Sequence, residues 1–328
     1  MRIAAVLPHL EVYGGVRRYL EIGNEMVKRG HEFIIFTPQG EKPDWLDFKG
    51  LTRAFSSFDE ASFDIGLCSE YSILTDFERL KARVKFFYFV LEGHKKESEV
   101  VKKNYLFLGN SEGICRRIEK KYGVSCQRAV GGVNPDYFYP VPTEEKREEV
   151  KILCYGRVYK KRKGIRHVIR AVERLYKIFP NLRLVFFDSL VGEDRRDPRL
   201  MIRTRVPYDF YINLPQNKMA GLFSQADIFV SAERRAGWSN TTAEAMACRL
   251  PVVCTRSGTR DFAVDRQTAL VVPFSHSLLL SFQIKRLIKD ANIRSRLAQA
   301  GYERIKLFSW SSLADKLEKI FKEQAKLK

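Results

Sequence analysis

The stretch from Ser231 to Val253 reads SAERRAGWSNTTAEAMACRLPVV and contains a strand end, a glycine turn, a helix start and the next strand. Gly237 lies in the predicted turn, Thr241 to Cys248 in the helix, and Pro251 opens the second strand. This order is typical of a parallel βαβ unit. A helix start beside a glycine turn also offers free backbone N–H groups to an anion.

The same pattern begins each half of the chain. An apolar strand is followed by a loop, an amphipathic helix and a second strand, and the two starts lie about 150 residues apart. The repeat predicts an α/β fold of two Rossmann-like, doubly wound domains, with ligands beyond the carboxyl ends of the strands and the domains facing each other across a cleft. The predicted strands and helices are 2–7, 16–29 and 31–37 in the first half, and 151–155, 165–178 and 182–187 in the second.

A proline-rich segment marks the predicted domain boundary. Residues 134–142 contain three prolines, which exclude a helix because each fixes φ and removes a backbone donor. We therefore expect an N-terminal domain at 1–142 and a C-terminal domain at 150–310. The tail 311–328 is amphipathic, with Leu313, Leu317, Ile320 and Phe321 on one face, and we expect it to pack back on the first domain.

The overall composition favours a chain without a membrane span. No run of about 18 apolar residues occurs, and the first residues run directly into a strand pattern, which argues against a signal peptide. The six cysteines form no C-x-x-C pair, so we expect them to be reduced in a cytoplasmic protein.

The formal net charge of +19 predicts an anionic partner, such as phosphate groups or an acidic membrane surface. A solvated, lysine- and glutamate-rich surface is the alternative. Nucleic acid would also fit the charge, but no nucleic-acid-binding motif is present, so we expect no nucleic-acid partner.

The loop from Gly156 to Gly164 reads GRVYKKRKG, and five of its nine residues are cationic. At the end of a strand and before a helix, Arg157 and Lys163 are placed to clamp a diphosphate, Arg as a fork and Lys as a point charge. A solvated basic loop is the alternative interpretation.

Two loops in the first half carry further candidates. Gly14 and Gly15 follow the first strand and would let the backbone approach a phosphate or sugar, although they also suit a tight turn. Glu92 and His94 follow the apolar strand at 86–91, where a histidine can donate a hydrogen bond to a sugar hydroxyl or leaving group. His9 follows the first strand similarly, and either histidine could be an ordinary loop residue.

Glu244 has two interpretations. One turn into its helix, its carboxylate could accept hydrogen bonds from sugar hydroxyls, but Thr241-Thr-Ala-Glu244 also matches a capping box. Asn240 and Ser239 are further candidate caps of the same helix. No metal-binding motif is present, so we expect neither a metal nor a cofactor. The carboxylates of Glu193, Asp194 and Asp197 stand among arginines and are interpreted as a solvated loop.

In this order, the motifs resemble those of the retaining glycosyltransferases of the GT-B fold, family four (glycosyl transferases group 1). The similarity covers nearly the whole chain. Its motifs are Gly109-Asn110-Ser111 with Tyr122-Gly123, Gly131-Gly-Val-Asn134 to Pro140, Gly156-Arg157 with Lys163-Gly164, and Ala243-Glu-Ala-Met-Ala247 through Pro251-Val-Val253.

The resemblance implies transfer of a sugar from a nucleotide diphosphate sugar to a glycan or lipid-linked acceptor, with retained anomeric configuration and no bound metal. Together with the net charge, it implies an acceptor at the inner face of the membrane. Arg157 and Lys163 would neutralise the leaving diphosphate, and His94 would lie near the reacting sugar. Glu244 would bind the ribose hydroxyls. The other implied substrate-binding residues are Gly14, Gly15, Glu92, Gly237, Trp238, Ser239, Asn240, Thr241 and Thr242.

One of the departures from the family pattern bears on the sugar end of the site. The family has a second glutamate eight residues before the position of Glu244, where this chain has Ala236. Glu233 lies three residues earlier and would reach that place only with a rearranged loop. Ala236 therefore raises an alternative, a catalytically inactive GT-B module that binds a nucleotide or a partner.

Overall fold

The computed structural model describes residues 1–142, 148–191 and 197–326. The chain forms two units, Met1–Gly132 with Phe308–Lys328, and Val133–Leu307. The first unit therefore ends before the predicted boundary at 142, and the proline-rich segment belongs to the second. Residues 143–147 lie outside the described residues, as do Glu193 and Asp194, for which the sequence predicts a solvated loop.

Each unit is built on a parallel sheet. The strands are β1 (Arg2–Val6), β2 (Glu32–Thr37), β3 (Leu51–Ala54), β4 (Phe63–Cys68), β5 (Ala82–Phe89), β6 (Leu106–Gly109), β7 (Gln127–Arg128), β8 (Val150–Tyr155), β9 (Leu182–Asp188), β10 (Tyr208–Ile212), β11 (Ile228–Ser231), β12 (Val252–Thr255) and β13 (Leu270–Val272). Among the described residues, the first sheet has the order β3-β2-β1-β4-β5-β6-β7 and the second β10-β9-β8-β11-β12-β13.

Helices connect the parallel strands and cover the sheets, so the central strands are buried on both faces. The helices are α1 (Gly14–Lys28), α2 (Leu74–Arg79), α3 (Glu97–Val100), α4 (Glu112–Tyr122), α5 (Ile165–Tyr176), α6 (Gln216–Ser224), α7 (Asn240–Ala247), α8 (Ser277–Lys289), α9 (Ala291–Ile305) and α10 (Trp310–Gln324).

The strand order gives each sheet a switch point. In the first sheet the chain runs outward from β1 through β2 to β3 and then returns to β4 on the other side of β1. In the second sheet β8 and β11 have the same relation. Ligands of doubly wound sheets bind where the order reverses, at the carboxyl ends of the two central strands. Two such positions therefore exist, one per unit.

The C-terminal helix belongs to the first unit. α10 packs beside α1, and its apolar face, including Leu313, Leu317 and Phe321, is buried in the core of the first sheet. The Phe321 ring lies 5.2 Å from that of Phe86 on β5. A Cβ at Gly132 would lie 2.8 Å from the backbone nitrogen of Trp310, so glycine permits the close approach of the two chain segments.

Candidate functional site

The loops after β8 and β11 carry most of the predicted site. The chain leaves β8 through Gly156, where a Cβ would overlap the Phe210 ring. Only glycine fits this close approach, and it turns the following residue, Arg157, across the carboxyl end of β9. The clamp candidates therefore lie at the switch point of the second sheet, where the fold favours a ligand.

Arg157 is buried against the end of β9. Its Nε donates to Asp188 Oδ1 at 3.0 Å, its Nη2 donates to the Ser189 carbonyl at 2.9 Å, and the guanidinium lies 5.2 Å from the Tyr155 ring centre. Burial lowers the pKa of Arg157, but Tyr155 and Asp188 outweigh it and the pKa is raised, so the side chain stays charged. Burial raises the pKa of Asp188 despite this partner. The guanidinium is thus a fixed positive charge.

Lys163 is positioned by the glycine that follows it. Gly164 has φ +68°, and a Cβ there would overlap the Ala232 carbonyl oxygen and lie 2.7 Å from Ser275 Oγ. The basic loop can therefore sit directly on the residues after β11. In this position Lys163 Nζ forms an ion pair with Glu233 Oε1, and the exposed side-chain fractions are 16% and 5%.

This ion pair was not predicted from the sequence. The two residues are 70 positions apart, and the contact arises from the fit of Gly164 against Ala232. The structure thus places a buried carboxylate against Lys163, supplied by Glu233, whereas Ala236 is buried beside Gly258. An ammonium carries three donors, so Lys163 can hold Glu233 and still donate to phosphate oxygens.

The turn before α7 is fixed by the loop after β12. Ser239 N donates to the Gly258 carbonyl at 2.8 Å, and Ala236 N donates to Ser257 Oγ at 2.9 Å. Gly258 has φ +73°, which favours glycine. Gly237 and Trp238 are buried between these anchors, and the Trp238 ring lies 4.7 Å from the ring of Phe262.

The capping-box interpretation of Glu244 is wrong. Ser239, not Thr241, is the N-cap of α7, so Glu244 lies beyond the third helical position that a capping box requires. Thr241 and Thr242 are inside the first turn, and the Thr242 and Ser239 hydroxyls are 2.7 Å apart. Glu244 is 7% exposed, one turn behind the helix start. The first-turn N–H groups of α7, including that of Asn240, can bind an anion.

In the first unit, the two glycines predicted to face the substrates lie at the start of a helix. Gly14 and Gly15 are the first residues of α1, whose N-cap, Tyr13, makes no side-chain capping hydrogen bond. A Cβ at Gly15 would lie 3.9 Å from Glu70 Oε1, which follows β4 across the switch point of this sheet. Burial raises the pKa of Glu70. No local sequence pattern marks Glu70 as a site residue, because only the strand order brings it beside α1.

The loop after β5 holds His94 in a defined orientation. Its ring stacks on Tyr71, with centroids 3.9 Å apart and planes 11° from parallel. His94 Nδ1 accepts the Lys96 backbone N–H at 3.2 Å, which places the proton of the neutral ring on Nε2. His94 can therefore act as a donor through Nε2. Glu92 precedes it in the same loop and is half-buried.

A second residue missed by sequence analysis anchors this loop. Glu97 is fully buried, and its Oε1 accepts the backbone N–H groups of Gly93 at 2.7 Å and His94 at 3.2 Å. It also forms an ion pair with Arg117 at 2.5 Å and accepts from Tyr122 Oη at 3.2 Å. Burial would raise the pKa of Glu97, but Arg117 and the backbone donors prevail and lower it. The orientation of His94 therefore depends on Glu97.

Across residues 1–142, 148–191 and 197–326, no group of three or more His, Cys, Asp or Glu side chains is arranged to hold a metal ion. Independence of a metal and of any other cofactor stays a prediction. None of the described helices combines the length and the apolar character that crossing a membrane requires.

Comparison with known proteins gives a family match over the second unit. The model of the family "Glycosyl transferases group 1" matches residues 139–304, just over half of the chain. The matched range includes both clamp candidates, the turn before α7 and Glu244.

Individual proteins match this chain with low sequence identity. The chain is 25% identical over 169 residues to the capsular polysaccharide biosynthesis glycosyltransferase CapM of Staphylococcus aureus, covering 51% of this chain and 44% of that protein. It is 26% identical over 237 residues to a GDP-mannose-dependent monoacylated alpha-(1-6)-phosphatidylinositol monomannoside mannosyltransferase of Corynebacterium glutamicum, covering 65% and 61%. The chain thus spans about half the length of the curated relatives it matches.

Solved structures share the complete fold. Sucrose-phosphate synthase of Thermosynechococcus elongatus superposes with a TM-score of 0.82 at 16% identity, covering all of both chains. At this identity the match shows the fold alone, and it confirms the predicted GT-B architecture of two Rossmann-like domains.

Proposed function

The chain belongs to the glycosyl transferases group 1 family, and we propose that it transfers a sugar from a nucleotide diphosphate sugar to a glycan or lipid-linked acceptor with retained anomeric configuration. The observation that carries the proposal is the cluster of Arg157, Lys163 and the start of α7 at one switch point. Two fixed cations and a helix N-terminus are suited to a diphosphate. The mannosyltransferase of Corynebacterium glutamicum, which is named as GDP-mannose-dependent, supports this donor class.

In the proposed reaction the second unit stabilises the departing nucleoside diphosphate. Negative charge grows on the leaving phosphate oxygen as the bond from the anomeric carbon to that oxygen breaks. Arg157 and Lys163 are already ordered by Asp188 and Glu233, so they need little reorganisation when this charge develops. Glu244, buried one turn into α7, would accept hydrogen bonds from the ribose hydroxyls, and residues 237–242 would line the phosphate and sugar.

The first unit is proposed to hold the acceptor side. His94 would donate through Nε2 to the donor sugar or leaving group, and Gly14 and Gly15 would let the start of α1 approach the substrates. Glu70 adds a carboxyl group beside this helix start that can hydrogen-bond an acceptor hydroxyl. The sugar-bearing acceptor is glycan or lipid-linked, and the basic charge supports an anionic membrane surface as a further partner.

We propose that Glu233 supplies the carboxylate that the family pattern would place at Ala236. Its buried contact with Lys163 supports this role, because one oxygen binds the ammonium while the other can accept a donor-sugar hydroxyl. The alternative of an inactive binding module, raised by Ala236, predicts tight binding of a nucleoside diphosphate without turnover on any donor.

A donor panel tests the proposed function. UDP-, GDP-, dTDP- and ADP-sugars would be assayed for transfer or hydrolysis, and NMR of the product anomer would test retention. The Lys163→Ala variant should lose about 100- to 1000-fold in turnover, as expected when a group facing developing charge is removed. Lys161→Ala, an exposed lysine of the same loop, is the matched control. Equal turnover in the two variants would contradict the clamp assignment.

A further inference from the structure

The positive charge is concentrated in the second unit. Val133–Leu307 contains 32 of the 58 Lys and Arg residues but 18 of the 39 Asp and Glu residues, so it carries +14 of the formal net charge of +19. The diphosphate clamp uses two of these cations. The excess therefore suggests a second anionic contact on this unit.

One solvent-facing side of α5 carries a stripe of cationic residues, interrupted only by Glu173. Arg166, Arg170 and Arg174 follow one another at i, i+4 and i+8, and Lys177 extends the same stripe at the C-cap. All four are exposed. The opposite side of α5, which contains Ile165, Val168 and Val172, is buried in the core of the unit, so the stripe points to solvent.

The outward face of α8 combines apolar and cationic side chains. Leu278, Phe282, Lys285 and Lys289 lie at i, i+4, i+7 and i+11, opposite the buried residues of the helix. Leu278 is 52% exposed and Phe282 62% exposed. Phe274, just before the helix, is 59% exposed. Adjacent exposed apolar side chains on one helical face indicate a contact surface rather than scattered surface residues.

The two stripes are neighbours. α5 packs beside α8, and the pKa of His167, in the first turn of α5, is lowered by burial and by Arg170, Arg234 and His276. His276 is the N-cap of α8, so the starts of the two helices lie within electrostatic range. Among the described residues, none of the cations in the two stripes forms an ion pair. We call the two stripes together the α5–α8 face.

We propose that the α5–α8 face docks on an anionic lipid surface. Exposed Leu and Phe side chains beside Lys and Arg are the combination that binds the headgroup region, because the apolar groups insert while the cations meet lipid phosphates. A second copy of this chain fits poorly, since it would bring two cationic faces together. The inference rests on the proposed lipid-linked acceptor, which such docking would bring to the enzyme.

Vesicle flotation tests the proposal with the full chain. Vesicles of equal parts phosphatidylglycerol and phosphatidylcholine should carry the protein, and vesicles of phosphatidylcholine alone should not. Binding should weaken as salt rises. The triple variant Arg170→Gln/Arg174→Gln/Lys177→Gln should lose about 100-fold in partitioning, since each cation near an anionic surface contributes roughly a factor of five.

The charge-matched control removes three exposed cations elsewhere in the same unit. Arg203 and Arg205 precede β10 at the far edge of the sheet, and Lys218 lies in α6. Their combined replacement by Gln should leave flotation unchanged. A second variant, Leu278→Ser with Phe282→Ser, should reduce partitioning about tenfold or more by removing the inserted groups. A cooperative thermal unfolding transition followed by circular dichroism checks that each variant is folded.

Three results would overturn the proposal. The first is no flotation of the wild-type protein with anionic vesicles. The second is equal flotation of the α5 triple variant and its control. The third is binding of a labelled DNA duplex at physiological salt without vesicle binding, which would assign the face to nucleic acid. Flotation needs no donor and no turnover, so a failed docking proposal leaves transfer to a soluble acceptor intact, and a failed transferase proposal leaves flotation intact.

Discussion

Replacing Gly164 by Ala tests how the basic loop is held against the end of β11. The residue has φ +68°, which costs a residue with a Cβ about 1 to 2 kcal/mol. The new Cβ would also overlap the Ala232 carbonyl oxygen and press on Ser275 Oγ, and such overpacking costs about 1 to 3 kcal/mol. The free energy of unfolding of the second unit should therefore fall by about 2 to 5 kcal/mol. Hydrogen exchange followed by mass spectrometry along a urea series reports each unit separately.

Gly123→Ala is the matched control. Gly123 has φ +70°, but a Cβ there would have nothing within 4 Å. The free energy of unfolding of the first unit should therefore fall only by the cost of the positive φ, about 1 to 2 kcal/mol. The Gly164 variant should also lose nucleotide affinity, because its loop carries Lys163. Equal destabilisation by the two replacements, with nucleotide affinity unchanged, would refute the close seating of the loop.

Three carboxylates give further predictions. Glu97→Gln should destabilise the first unit by about 2 kcal/mol at pH 7, which is less than the loss of a fully buried ion pair because Arg117 is 26% exposed. The difference in urea midpoint between the variant and the wild type should vanish as the pH falls through the lowered pKa of Glu97. Glu70→Gln should stabilise the same unit by about 1 kcal/mol at pH 7 and have no effect at pH 3, since a raised carboxyl pKa makes the wild type lose stability as pH rises through it. Glu233→Gln should bind free nucleoside diphosphate about tenfold tighter by calorimetry, because a negative charge beside Lys163 is removed, while turnover falls.

A control variant and the pH dependence distinguish these predictions from their alternatives. Glu303→Gln removes an exposed carboxylate paired with Lys306 in the same unit as Glu233, and should change neither nucleotide affinity nor turnover. Equal effects of the Glu303 and Glu233 replacements would argue against a donor-site role for Glu233. A pH-independent difference for Glu97→Gln would show that its contribution is not electrostatic, and destabilisation by Glu70→Gln at pH 7 would mean that the carboxylate has a stabilising partner.

The two-domain fold could be predicted from the sequence because short, local sequence patterns indicate it. Apolar runs, glycines after strands and prolines before them mark each βαβ unit, and the carboxyl ends of parallel strands share an edge. Arg157 and Lys163 lie at the edge of the second sheet that these local signals predict. The C-terminal helix was also readable, since Leu313, Leu317 and Phe321 repeat at helical spacing.

The features that were predicted wrongly or not predicted depend on contacts between residues that are far apart in the sequence. The Thr241 pattern matched a capping box, but the hydrogen bond from Ser239 N to the Gly258 carbonyl belongs to a turn that starts the helix two residues earlier. Glu233 reaches Lys163 only because Gly164 allows two loops to meet. Glu70 lies beside α1 only because β4 returns to the side of β1, which strand order decides and a local pattern does not.

A calorimetric titration of nucleoside diphosphates into the full chain tests the diphosphate site of the second unit most directly. At least one of UDP, GDP, dTDP and ADP should bind, and Lys161→Ala should bind it equally. Lys163→Ala should bind it at least about tenfold more weakly, a loss of about 1.4 kcal/mol. Binding of none of the four, or equal affinity in Lys163→Ala and the wild type, would contradict a diphosphate site at the switch point of the second sheet.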